Sequence, residues 1–208
     1  MPQGRLFVVA GPSGAGKGTL IAELLKRYPS TWLSVSATTR KPRPGEVDGV
    51  QYYFMDKSGF DDLVRKGEFL EWAEVHGNLY GTPRGKVAEK LAQDLDVILE
   101  IDVQGARQVR DKWPHAVTIF VQPPSIEVLE ERLRRRGTEE GDELERRLEN
   151  ALEESREKDD YDYVVVNDQL HRAVDGFCDI YEKESPLVRA AGEGSRRSQT
   201  RVDEDQDR

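Results

Sequence analysis

Residues 6–19 read Leu-Phe-Val-Val-Ala-Gly-Pro-Ser-Gly-Ala-Gly-Lys-Gly-Thr, and three structural signals follow one another inside them. Leu6 to Ala10 is an apolar run too short for a helix and suited to a parallel strand buried on both faces. Gly11, Pro12, Ser13, Gly14, Ala15, Gly16 and Lys17 then match G-x-x-x-x-G-K. From Thr19 to Tyr28 the chain carries Leu20, Ile21, Leu24 and Leu25 at helical spacing. Strand, glycine loop and helix together form a phosphate cradle. The glycines let backbone N–H groups turn inward, the helix start favours anions, and Lys17 brings a full positive charge to the β- and γ-phosphates. The segment Gly11 to Thr19 is therefore expected to hold a nucleoside triphosphate, and it does not name the acceptor. Gly18 stands where many such loops carry a Ser or Thr that ligates magnesium, and Thr19 comes one residue later. The Mg2+ of Mg-ATP is expected to be held by phosphates and water, with little direct protein ligation.

The same rhythm recurs downstream. Apolar runs at 96–101, 117–121 and 163–166 read as strands, with helical patterns after them at 103–112, 125–136 and 170–183. Strands alternating with helices predict an α/β fold, a three-layer P-loop sandwich with a mostly parallel central sheet. Residues 36–92 break the alternation. Two β-like pieces, Tyr52 to Phe54 and Phe69 to Val75, and two short helical stretches there read as an insertion beside the sheet. From Pro186 the apolar content falls away, and 186–208 is expected to be a disordered tail.

Composition narrows the function. The chain has 208 residues, 37 % hydrophobic and 34 % charged, which suits one core under a charged surface. Its net charge of −9 argues against a nucleic-acid binder, which needs a basic face. A local arginine cluster still suffices to hold a free mononucleotide. The lone Cys178 forms no intrachain disulfide and no zinc-type spacing exists. No signal peptide and no stretch of 18 apolar residues is present, so the expected location is cytoplasmic, away from membranes. His76, His115 and His171 lack partner spacing and read as surface or structural, and Trp32, Trp72 and Trp113 as packing residues.

Two further stretches carry chemistry. Arg40 and Arg43 lie on the segment Ser34 to Glu46, stiffened by Pro42 and Pro44, which disfavour helix before them and predict an irregular loop. Two arginines can grip a phosphate with forked hydrogen bonds, and Tyr52 and Tyr80 can donate O–H bonds; the segment alone equally suits a solvated basic loop. Glu100 and Asp102 finish a buried strand, where ligands of open α/β sheets bind. Asp102 is placed to hold a magnesium-bound water and Glu100 to orient an arginine or the acceptor, the division of roles staying open. Arg134 and Arg135, late in their helix, read as favourable charge at a helix C-terminus.

From residue 5 to about 183 the chain resembles guanylate kinases. The likeness rests on Gly11 to Lys17, Ser34 to Gly49, Phe69-Leu70-Glu71-Trp72-Ala73, Gly77 to Thr82, Glu100 to Gly105, Arg136-Gly137-Thr138 and Val166-Asn167-Asp168, in that order. It implies that Gly11 to Thr19 hold ATP, whose γ-phosphoryl group is transferred to GMP, giving ADP and GDP. It further implies three parts: a core (1–35, 93–132, 159–185), a GMP-binding region (36–92) and a lid (133–158). Ser36, Glu71 and Thr82 would then face the guanine, and Arg40, Arg43, Tyr52 and Tyr80 the GMP phosphate. Glu100 and Asp102 join the acceptor site. The chemistry agrees, because guanine presents N1–H and N2–H side by side and a carboxylate has two acceptor oxygens. The resemblance makes Arg132, Arg136 and Arg147 lid arginines that close on the phosphates beside Lys17, and Asn167 becomes a candidate for the adenine side. A monomer or small homo-oligomer is expected. Two other readings compete: a non-catalytic peptide-binding scaffold of the same fold, opposed by the intact Lys17 loop, and a kinase for another monophosphate such as AMP, opposed by Glu71 with Ser36 and Thr82.

Overall fold

The computed structural model describes residues 4–75, 77–135 and 142–191. Five strands form a sheet: β1 (Leu6–Ala10), β2 (Trp32–Leu33), β7 (Val97–Glu100), β8 (Val117–Gln122) and β9 (Tyr163–Val166), in the order β2-β7-β1-β8-β9. Every pairing in it is parallel. Side chains alternate across a strand, so β1 feeds two cores. Phe7 and Val9 pack with Leu20, Ile21 and Leu24 of α1 (Lys17–Arg27) and with Val174, Phe177 and Tyr181 of α7 (Leu170–Glu184). Leu6, Val8 and Ala10 pack on the other face with Val103, Ala106 and Val109 of α4 (Val103–Lys112) and with Val87 of α3 (Arg84–Ala92). The result is the helix–sheet–helix sandwich that the alternation predicts.

The insertion contains a second sheet, of order β4-β3-β6-β5: β3 (Ser36–Thr38), β4 (Tyr52–Phe54), β5 (Phe69–Val75) and β6 (Asn78–Pro83). Helix α2 (Lys57–Arg65) lies between β4 and β5. Ser36 to Thr38 is thus a strand rather than the start of an irregular loop, because β4 and β6 flank it on both edges and satisfy its backbone. Trp32 and Trp113 pack at the margin of a core as expected, whereas Trp72 stands 40 % exposed.

Helices α5 (Ile126–Arg135) and α6 (Asp142–Ser155) rest on an apolar cluster of their own, with Leu129, Leu133, Leu144 and Ala151 buried. The carboxyl end of the chain differs from expectation. Residues 186–191 are helical, with the Ser185 hydroxyl accepting from the Val188 N–H and Val188 packing against the α1–α7 core. The expected tail therefore begins no earlier than 192, and 192–208 lies outside the described residues, as do Arg136 and His76.

Candidate active site

The carboxyl ends of β1, β7 and β9 deliver the phosphate loop, Glu100 and Asn167 to one side of the sheet. The loop is held from behind. Asn167, 6 % exposed, donates from Nδ2 to the Ala15 carbonyl at 2.8 Å. Arg132 on α5 donates to the same carbonyl at 3.4 Å and to the Asn167 carbonyl at 2.9 Å. Gly16, the residue before α1, has φ 95°, and an added Cβ would collide with the Asn167 amide. Only glycine fits there. Arg132, expected on the phosphates, bonds the loop itself here, adding a second donor to the Ala15 carbonyl and supplying one to the Asn167 carbonyl.

Lys17 folds over the loop, its ammonium donating to the Gly11 carbonyl at 2.5 Å and the Pro12 carbonyl at 3.2 Å. Three carboxylates approach this region. A Cβ on Gly18 would stand 3.4 Å from Glu100 Oε2. Asp102 caps α4, its Oδ1 accepting from the Gly105 N–H at 3.0 Å. Burial raises the Asp102 pKa, against bonds from Gly105 and Gln104 and the charge of Lys17. Glu154, on the last turn of α6, is pushed up to about 7 by burial, with Lys17 opposing the rise and Asp102 adding to it. Glu154 has no sequence signal, since nothing local says where the end of α6 will dock.

Glu71 is 3 % exposed and sits opposite Thr82 across the β5–β6 ladder, where Thr82 Oγ1 donates to its Oε1 at 2.5 Å. Burial lifts its pKa from 4.5 to about 7, with the Thr82 bond opposing and Asp102 adding. Its Oε2 lies against Gly105 so closely that an added Cβ would clash. Ser36 opens β3 directly beside Tyr52 of β4. Arg40 pairs with Glu46 at 2.9 Å and stands over the Tyr52 ring, 5.3 Å from its centroid. The Tyr52 and Tyr80 rings meet edge to face at 5.9 Å. Hydrogen bonding to Glu46 raises the Arg40 pKa, and the same bond lowers that of Glu46. Burial raises the Tyr52 pKa, and the Glu100 charge adds to it. Arg43 lies on the exposed surface with its backbone N–H bonded to Glu46 at 2.7 Å. Arg147 lies on α6 with its Nε shielded from solvent.

Of the predicted residues, Lys17, Asn167 and Arg132 bond the phosphate loop, Glu100 lies by Gly18, Glu71 and Thr82 meet beside Gly105, and Ser36, Arg40, Tyr52 and Tyr80 gather at the second sheet, whereas Arg43 faces solvent and Arg136 is not described. Together they offer an anion cradle, a buried two-oxygen acceptor and an arginine–tyrosine cluster. Glu100 and Asp102 are hard oxygen donors beside the cradle, and they suit hydrated Mg2+ on a bound triphosphate.

A family model described as guanylate kinase matches residues 3–184. A guanylate kinase of Symbiobacterium thermophilum is 57 % identical over 173 residues, 83 % of this chain and 82 % of its own length. One of Carboxydothermus hydrogenoformans is 53 % identical over 174 residues, 84 % of this chain and 85 % of its own length. The crystal structure of guanylate kinase from Anaplasma phagocytophilum superposes with a TM-score of 0.73 at 35 % identity, covering 89 % of this chain and 88 % of that one. A shikimate kinase from Bacteroides thetaiotaomicron, 18 % identical with a TM-score of 0.52 over 86 % of this chain and 98 % of its own, shares the fold.

Proposed function

Since the chain belongs to the guanylate kinase family, we propose that its cleft aligns ATP and GMP for transfer of the γ-phosphoryl group, releasing ADP and GDP. One observation carries the reading of the acceptor: a buried carboxylate, Glu71, bonded to Thr82 beside the first turn of α4. Two acceptor oxygens match guanine N1–H and N2–H, whereas adenine turns a lone pair toward them. The Ser36 hydroxyl serves O6, and the Thr82 hydroxyl does so by turning its one O–H from Glu71 to the base. Arg40, Arg43, Tyr52 and Tyr80 grip the GMP phosphate, and Glu100 and Asp102 complete the acceptor side.

ATP lies with its phosphates on the N–H groups of Gly11 to Thr19 and its adenine toward Asn167. Lys17 exchanges its two loop carbonyls for phosphate oxygens and stabilises the charge that spreads over the transferring group. Glu100 and Asp102 would hold the waters of an Mg2+ bound with ATP, which would supply charge neutralisation. Residues 133–158 act as a lid, supported by the separate apolar cluster under α5 and α6. Arg136 and Arg147 arrive with the lid and exclude water that would hydrolyse ATP, while Arg132 steadies the loop. Residues 36–92 form the GMP-binding unit, as the self-contained second sheet supports. We place the reaction in the cytoplasm, with the enzyme as a monomer or small homo-oligomer. No described helix is long and apolar enough to cross a membrane.

A coupled assay with ATP and each of the four ribonucleoside monophosphates tests the assignment. GMP is expected to dominate; equal turnover of AMP, or of none, would overturn it.

A further inference from the structure

Strand β5 is the outer strand of the second sheet, with β6 on one side and, among the described residues, no strand on the other. Alternate residues of such a strand turn their N–H and C=O groups to the open edge. On that edge stands α4, and it meets the strand with a regular series of side chains. Lys112 donates to the Leu70 carbonyl at 2.8 Å. Gln108 closes a two-bond ring on Trp72, donating to its carbonyl at 2.6 Å and accepting from its N–H at 3.3 Å. Gln104 donates to the Glu74 carbonyl at 3.4 Å.

The spacing explains why three contacts fit at once. Four residues of helix rise about 6 Å, and two residues of strand about 6.8 Å. Positions 104, 108 and 112 on one helical face therefore keep step with positions 74, 72 and 70 along the strand edge. The helix side chains stand in for a missing strand. Glu71 lies between the two innermost rungs, and its own side chain points to the first turn of α4, where Gly105 leaves room for its carboxylate. A one-residue slip of β5 would turn Glu71 to the opposite face. Helix α4 is a core element, capped at the cleft by Asp102, so the rungs tie the carboxylate to the phosphoryl-transfer side of the molecule.

We propose that Gln108, supported by Lys112, is a positioning residue for Glu71 and so sets guanine selectivity from outside the pocket, a reading that rests on Glu71 being the guanine reader. Both of these Gln108 hydrogen bonds go to the Trp72 backbone, so its effect passes through the placement of Glu71.

The test compares GMP with inosine monophosphate, which lacks the 2-amino group and so reports the second guanine bond. Gln108→Met keeps the length of the side chain and removes both hydrogen bonds. It is expected to shrink the ratio of kcat/KM for GMP over inosine monophosphate by about fivefold to tenfold, with the KM for ATP unchanged. Lys112→Met should move the ratio the same way by a smaller factor. A loss of general stability would lower both acceptors equally and leave the ratio alone. An unchanged ratio in both variants, beside a collapsed ratio in Glu71→Gln, overturns the positioning role alone. An unchanged ratio in all three overturns it together with the reading of Glu71. Hydrogen exchange on the wild-type chain gives an independent check: the Trp72 amide should be protected, and exchange at the rate of an open edge amide would also overturn the proposal.

Discussion

Glu71 is a buried acid whose protonation matters to its proposed task. Its pKa, near 7 in the folded chain against 4.5 ordinarily, means that the folded state binds the extra proton between those values. Stability therefore falls as pH rises through that window, and the carboxylate needed for guanine becomes populated at its upper end. GMP and AMP carry the same phosphate, so their kcat/KM ratio cancels the titration of that group. The ratio is expected to rise from about pH 6 to about pH 8 in the wild type and to stay flat in Glu71→Gln. At pH 8 the variant should lose about 2–4 kcal/mol in kcat/KM for GMP, because one bond becomes donor against donor and charge assistance disappears. A pH-independent wild-type ratio would remove Glu71 from the pocket. For Lys17 the expectation is on kcat: Lys17→Ala should lower it by at least about 100-fold with GMP affinity kept, and near-normal turnover would sink the phosphate-loop role. Lys17 stands out in the sequence because it ends a dense local motif, and Glu71 because the stretch around it carries the family resemblance. Gln108 and Glu154 are not, because their partners lie on other elements and nothing local announces the pairing.

At the scale of elements, legibility follows how much of an element's stability is its own. The strand β1, the loop and α1 read cleanly since apolar runs and helical spacing are local properties. The strand β3 is Ser-Ala-Thr and shows no pattern; it is a strand because its neighbours pair with it. The short β2 likewise exists through its pairing with β7. The α5–α6 pair is an intermediate case, with readable helices whose shared cluster is detached from the two main cores. Such a unit should open at lower free energy than the sheet. Leu144→Ala removes a buried side chain from that cluster, 4 % exposed, at a cost of about 2–5 kcal/mol locally. Amides of α6 are expected to lose exchange protection while those of α1 and α7 keep theirs, with kcat falling. Equal loss in α6 and α7 would show that the proposed lid and core unfold as one.

The whole molecule is closed by a buried polar junction that no sequence pattern announces. Asp96, fully buried at the start of β7, accepts from the Arg5 N–H at 2.7 Å, from the Tyr181 hydroxyl at 2.9 Å and from the Ser185 hydroxyl at 2.5 Å. Tyr181 also shares a hydrogen bond with Thr31. The residues come from the approach to β1, the stretch after α1 and the end of α7, so they join the first and last of these elements to the central sheet. A buried carboxylate is stable only with its donors in place. The consequence separates two truncations. Ending the chain after Ala191 removes 192–208, a stretch with Val202 as its one apolar residue besides glycine, and should leave Tm and activity near those of the full chain. Ending it after Glu184 removes the Ser185 donor and the packing of Val188, leaving Asp96 short of a partner at a cost of about 1–3 kcal/mol. For a domain of this size that should lower Tm by several degrees, about 2–4 °C for each kcal/mol. Thermal melts of the two shortened chains beside the full one decide the matter. Equal melting temperatures would mean that Ser185 and the helical turn after it hold nothing, and that the fold closes at Glu184.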